Sequence, residues 1–139
     1  MHDRRHLYRA ILEGVAFEQR LHTEGVEAAT GQPITTLIAM GGGSRSALWL
    51  QIVADVTGKP VMRCAGSEAS ALGAAMLAAA GVGLYAGPRE AAAAMTRTET
   101  DAVLPDAGRH EVYSRLYEGV YRGLFPMLQP ALQRLSGLA

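Results

Sequence analysis

Residues Thr35 to Val61 read TTLIAMGGGSRSALWLQIVADVTGKPV, and this stretch decides the fold. Thr36 to Met40 is a short apolar run of strand formers, the pattern of a strand buried on both faces. Gly41, Gly42 and Gly43 stop it and strip the turn of side chains. Such a run of glycines is expected where the backbone takes positive φ or lets a ligand come close. Ser44 or Ser46 can cap the helix that follows, in which Leu48, Trp49, Ile52, Val53 and Val56 recur at helical spacing. Gly58 ends that helix, and Lys59-Pro60 lead into a second strand, Val61 to Cys64. A strand-helix-strand crossover of this length makes the two strands parallel and the connection right-handed.

The flanks are read outward from this unit. Upstream, Asp3 caps a helix whose apolar stripe is Leu7, Ile11 and Val15 with Ala10, Phe17 and Leu21; it is expected to run to about Glu24. Gly25 to Ile34, with Thr30-Gly31-Gln32-Pro33, reads as a loop. Downstream, Ala65-Gly66-Ser67 is a turn in which Ser67 caps a third helix and Glu68 sits in its first turn. Ala71, Leu72, Ala75, Met76 and Ala79 make the face expected to be buried, and the helix ends near Gly81. Gly81 to Gly87 is a glycine-rich connector, and Pro88 at a first helical position opens a short helix through Met95. Thr96 to Gly108 is expected to be irregular. A long last helix starts near Arg109, with Val112, Leu116, Val120 and Leu124 in one stripe and Tyr113, Tyr117 and Tyr121 beside it. Pro126 and Pro130 are expected to kink or segment it.

Composition removes several function classes. The 139 residues suit one compact unit, and 13 basic against 13 acidic side chains leave no electrostatic footprint for nucleic acid or an anionic membrane. Ala69 to Pro88 carries no charge over twenty positions, but alanine and glycine dominate it, so it is not read as a membrane span. Cys64 is the only cysteine, which excludes an intramolecular disulfide and suits a reducing cytoplasm. His2, His6, His22 and His110 lack metal-ligand spacing and read as surface residues. Cys64 reads as a small buried hydrophobe and the three tyrosines as packing.

Gly41, Gly43 and Ser46 form G-x-G-x-x-S after a strand, near to a dinucleotide fingerprint. A Rossmann domain needs a third glycine, an acidic residue at the end of the second strand, and more strands; here Arg63 stands near that end, suited to a 2′-phosphate. An NADP-binding or noncatalytic interaction domain is therefore an alternative. No Gly-Lys-Ser/Thr is present, which excludes a Walker loop.

Gly41-Gly42-Gly43-Ser44-Arg45-Ser46, Leu48-Trp49, Gln51-Ile52, Ala54-Asp55-Val56, Gly58, Pro60-Val61, Glu68-Ala69 and Ala71-Leu72-Gly73-Ala74-Ala75 occur in this order. Together they resemble the C-terminal domain of FGGY-family carbohydrate kinases, the xylulose kinase branch in particular. His6-Leu7-x-x-Ala10-Ile11-Leu12-Glu13 is similar to the closing half of that family's second signature. The resemblance implies an α/β fold. It would be part of an actin-like (RNase H-like) ATPase domain: a helix, a parallel strand-helix-strand-helix unit and a long C-terminal helix, with residues 1–139 as the C-terminal part of the nucleotide-side domain. It implies transfer of the ATP γ-phosphate to a sugar or polyol hydroxyl, with Mg²⁺ carried by the nucleotide. The glycine turn of Gly41, Gly42 and Gly43 would line the adenine pocket, and Ser46 stands where related glycerol kinases place an asparagine. The family's catalytic Asp and sugar-binding residues belong to earlier sequence, so the chain alone is expected to be inactive. Two strands make an incomplete sheet, and self-association through its open edge is expected.

Overall fold

The computed structural model describes residues 2–64, 68–97 and 101–137. The elements are α1 (Arg4–Thr30), β1 (Leu37–Ala39), a 3₁₀ turn (Gly42–Arg45), α2 (Ala47–Thr57), β2 (Val61–Arg63), α3 (Ala69–Gly81), α4 (Pro88–Met95), α5 (Ala107–Leu116), a π segment (Tyr117–Tyr121) and α6 (Arg122–Ser136). They divide into two compact units, Met1–Ile34 with Ile52–Gly58 and Pro105–Ala139, and Thr35–Gln51 with Lys59–Leu104.

In the first unit, the Asp3 carboxylate accepts from the backbone N–H groups of Arg5 and His6, and the His6 ring reaches back to the Asp3 N–H, closing a capping box. Helix α1 runs past Glu24 to Thr30, six residues further than expected. Gly25 does not break it, and the stop is Gly31 in the left-handed conformation at φ 66°. The Glu27 side chain then accepts from the Ile34 N–H at 2.7 Å, bringing the chain out of the helix.

The face that α1 buries is not the most apolar one. Leu7, Ala10, Ile11, Val15 and Leu21 are exposed, and Phe17 alone of the expected stripe is buried, with Ala16 and Thr23. The buried side matches the tyrosines of α5 and the π segment. The Phe17 ring centroid lies 5.9 Å from that of Tyr113, 6.0 Å from Tyr117 and 4.9 Å from Tyr121. Each phenol donates to a carboxylate of α1: Tyr113 to Glu13 at 2.7 Å, Tyr117 to Glu24 at 2.9 Å, and Tyr121 to Glu18 at 2.7 Å. The tyrosines thus pack as the sequence suggested. The adjacent stripe of Val112, Leu116, Val120 and Leu124 is exposed. Asp106 caps α5 two residues earlier than expected, and helix α6 continues through Pro126 and Pro130. The departure from α-helical bonding lies upstream of both prolines, in the π segment.

Arg20 and Asp55 tie the rest of this unit together. The Arg20 guanidinium lies 4.3 Å from the centre of the Tyr117 ring and donates to the Val56 carbonyl, the Ser114 hydroxyl and Glu24. Asp55, 2 % exposed, accepts from the Asp106 N–H at 2.8 Å and the Arg109 Nε at 2.6 Å. Its backbone carbonyl meets His110 Nδ1 at 2.8 Å, so His110 is half-buried and not a surface residue. Gly58 ends α2 at φ 68°; a Cβ there would stand 2.6 Å from the His110 ring.

In the second unit β1 and β2 pair in parallel, Leu37 with Val61, Ile38 with Met62 and Ala39 with Arg63. Val61 also bridges Val103 in antiparallel sense, so the irregular stretch contributes one sheet contact. Strand β1 is not buried on both faces: Ile38 is 53 % exposed, while Leu37 and Ala39 on the other face are half-buried. Cys64 is half-buried, with its Sγ 3.6 Å from the Arg97 carbonyl. The capping by Ser67 and the turn at 65–67 lie outside the described residues. Helix α3 packs against α4, but Ala71 and Ala75 are exposed and Leu72, Met76 and Ala79 only half-covered. Helix α4 spans Pro88 to Met95 as read, with Pro88 at its start and the Glu90 carboxylate accepting from the Ala86 N–H. Among the described residues no helix is long and apolar enough to cross a membrane.

Two outcomes follow. Asp55→Ala is expected to lower the unfolding free energy by about 2–3 kcal/mol in a denaturant titration. That is less than for a fully enclosed ion pair because the Arg109 side chain is 50 % exposed and regains water. Burial and the neighbouring carboxylates push the Tyr117 and Tyr121 phenols up to about 12. A phenol whose folded value lies above the unfolded value of about 10 adds stability that is complete below pH 10 and is lost as pH rises towards 12. The melting temperature should therefore fall across that window, and Tyr117→Phe should flatten the fall.

Candidate functional site

The candidate residues Gly41, Gly42, Gly43 and Ser46 all fall between the end of β1 and the start of α2. This is the carboxyl end of both parallel strands, where open α/β sheets place their ligands. Gly41 has φ 77° and ψ −171°, a region that is essentially glycine-only. Gly42 and Gly43 do not take positive φ, so of the two reasons read from the glycine run, positive φ applies to Gly41 alone. They begin the 3₁₀ turn, whose tight bonding needs no left-handed residue once Gly41 has reversed the chain.

Local hydrogen bonds define the turn. The Gly41 carbonyl accepts from both the Ser44 N–H, at 3.2 Å, and the Ser44 hydroxyl, at 2.7 Å. Ser46 is the helix cap: its hydroxyl accepts from the Trp49 N–H at 3.2 Å, and its carbonyl from the Leu50 N–H. Ser44 is buried and belongs to the turn, so the choice between the two serines is settled by their bonds. From β2, Arg63 Nε donates to the Ser44 carbonyl at 3.1 Å.

The glycines differ in what surrounds them. A Cβ on Gly41 or Gly42 would meet nothing within 4 Å, whereas one on Gly43 would lie 3.5 Å from Trp49 Cδ1 and 3.6 Å from its Nε1. Gly43 therefore faces the indole and Gly42 faces open space. Arg45 is exposed on the turn. Sequence reasoning missed two features here: the Arg63 to Ser44 bond and the packing of Trp49 against Gly43. The first had no local signal: it depends on the parallel register, which sets Arg63 opposite Ala39, two residues before the turn.

Residues 1–82 match the model of the FGGY family of carbohydrate kinases, C-terminal domain. The chain belongs to the FGGY family. It is 35% identical over 126 residues to the xylulose kinase of Bacillus subtilis (strain 168), covering 89% of this chain and 24% of that protein. It is 40% identical over 114 residues to the glycerol kinase of Alkalilimnicola ehrlichii, covering 82% of this chain and 22% of that one. The crystal structure of xylulose kinase from Rhodospirillum rubrum superposes with a TM-score of 0.73 at 39% identity, over 95% of this chain and 26% of the other. The FGGY chain described here thus spans about a quarter of the length of these relatives. Its fold is α/β, the C-terminal portion of an actin-like ATPase fold like that of its structural neighbours.

The first two glycines of the turn are expected to separate in a thermal melt. Gly41→Ala forces a side chain into a glycine-only conformation and should cost about 1–3 kcal/mol. Gly42→Ala has open space for its methyl group and should melt within a degree or two of the parent.

Proposed function

We propose that this FGGY chain carries the nucleotide side of an ATP-dependent kinase that phosphorylates a sugar or polyol hydroxyl in the cytoplasm. The observation that carries the reading is the side-chain-free surface at Gly41 and Gly42, open to solvent, at the carboxyl ends of β1 and β2 in a chain of this family. In this reading the backbone of Gly41, Gly42 and Gly43 lines the adenosine pocket. A flat base can lie against peptide groups where no Cβ intervenes. Ser46 stands at the rim of the pocket. Its hydroxyl oxygen accepts from the Trp49 N–H and its hydrogen remains available to the base. The α2 N-terminus beside it favours negative charge.

The chemistry asked of this segment is positioning. Phosphoryl transfer is catalysed chiefly by alignment and by stabilising charge on the transferred group, so fixing adenosine fixes the origin from which the γ-phosphate is presented. Among the described residues no three His, Cys, Asp or Glu side chains gather to hold a metal, and the proposal assigns Mg²⁺ to the nucleotide phosphates. The base for the sugar hydroxyl and the sugar-binding residues would come from sequence equivalent to the other three quarters of the relatives. Asp55 is engaged with Arg109 and Asp106 and is not proposed for that role.

Among the described residues β1 pairs with β2 alone, and its other edge and the exposed stripe of Leu7, Ile11 and Val15 on α1 are proposed to be covered by that remaining sequence in a whole kinase. In the isolated chain they lead to self-association.

The reading is tested by calorimetric titration of the chain with ADP and ATP. Binding is expected, with Gly42→Val weakening it about tenfold at an unchanged melting temperature; equal affinity in the variant would remove the glycine turn from the pocket. Incubated with ATP and a panel of pentoses and polyols, the chain alone is expected to release no sugar-dependent ADP. In sedimentation it is expected to form concentration-dependent oligomers, and a strictly monomeric species at high concentration would contradict the open-edge account.

A further inference from the structure

We infer that Arg63 is a positioning residue for the nucleotide turn: from β2 it holds the Ser44 carbonyl and so sets the shape in which the Gly41 to Gly43 backbone receives its ligand. The inference rests on the nucleotide reading above. The register places Arg63 beside Ala39, the last residue of β1, so its side chain starts level with the point where the chain turns towards α2. Its Nε then reaches the Ser44 carbonyl at 3.1 Å.

Ser44 is the pivot of the turn. Its N–H and its hydroxyl both bind the Gly41 carbonyl, which fixes one side of the peptide run. Its own carbonyl points the other way, and Ser44 is buried, so an unmet oxygen there would be unfavourable. A guanidinium supplies a charge-assisted hydrogen bond from a planar, rigid donor group, stronger and more directional than a neutral donor. Gly41 through Ser44 contains three residues without side chains and has few other means of holding one shape. A clamp anchored on a strand compensates for that freedom.

The chain provides its own reporter, because Trp49 is its single tryptophan and its ring lies against Gly43. Wild type, Arg63→Met and Arg63→Lys are compared by calorimetric titration with ADP, by Trp49 emission during the same titration, and by melting temperature. Arg63→Met is expected to weaken ADP about tenfold and to reduce the ADP-induced change in Trp49 emission. Arg63→Lys keeps a cationic donor on a flexible stem and should recover part of both. An Arg63→Met chain that melts lower but binds ADP with wild-type affinity and emission change would overturn the inference and leave the nucleotide reading standing. Absence of ADP binding by the wild-type chain would overturn the nucleotide reading, and this inference with it.

Discussion

The buried carboxylate of Asp55 is the constraint on which the first unit depends. It sits in the last turns of α2, out of water, and is stabilised there by the Asp106 N–H and the Arg109 guanidinium at the start of α5. A buried carboxylate demands such partners, so the start of α5 is held in one place and one orientation on the end of α2. Asp106, held by that bond, in turn caps α5, and His110 one turn further on closes over the Asp55 carbonyl. Gly58 makes room for this ring, and a side chain there would collide with it. Helix α5 and the π segment that continues it are thereby launched with Tyr113, Tyr117 and Tyr121 directed at α1.

The pairing of α1 with the tyrosine helix is mixed in character. Phe17 supplies the apolar centre, while Glu13, Glu18 and Glu24 receive three phenols around it and Arg20 lies over Tyr117. Tyrosine suits such a contact because its ring can be buried while its hydroxyl meets a partner at the edge. A spacing of four residues drifts around a regular α-helix by about 40° per step, so the third tyrosine would stand about 80° round from the first. The wider π segment at Tyr117 to Tyr121 changes the winding where the third tyrosine has to reach α1.

The proposed nucleotide turn is built on the opposite principle, by removing side chains and fixing what is left with local bonds. One residue, Gly41, takes the conformation closed to others; Ser44 folds back on it, and Ser46 passes the chain into α2. Arg63 braces the turn from the neighbouring strand. The result is a bare backbone surface with a defined shape, a requirement for any pocket that reads a flat ligand by contact.

By itself the sequence determined the parts of this protein that local chemistry controls. Glycines and capping side chains act over a few residues, so the cap at Asp3, the stops at Gly58 and near Gly81, the start at Pro88 and the strand-turn-helix-strand unit were all legible. The ordered motifs around Gly41 to Ala75 pointed to the FGGY family for the same reason. The tertiary structure alone decided which faces are covered. The apolar stripe grouped Leu7, Ile11 and Val15 with Phe17, yet of these only Phe17 is buried, because burial depends on the partner present, here three phenols around Phe17 that donate to Glu13, Glu18 and Glu24. It also decided that of three glycines only Gly41 is left-handed, and that Arg63 meets Ser44 across nineteen residues of sequence. Contacts of that range are set by how strands pair and helices pack, and no local pattern encodes them.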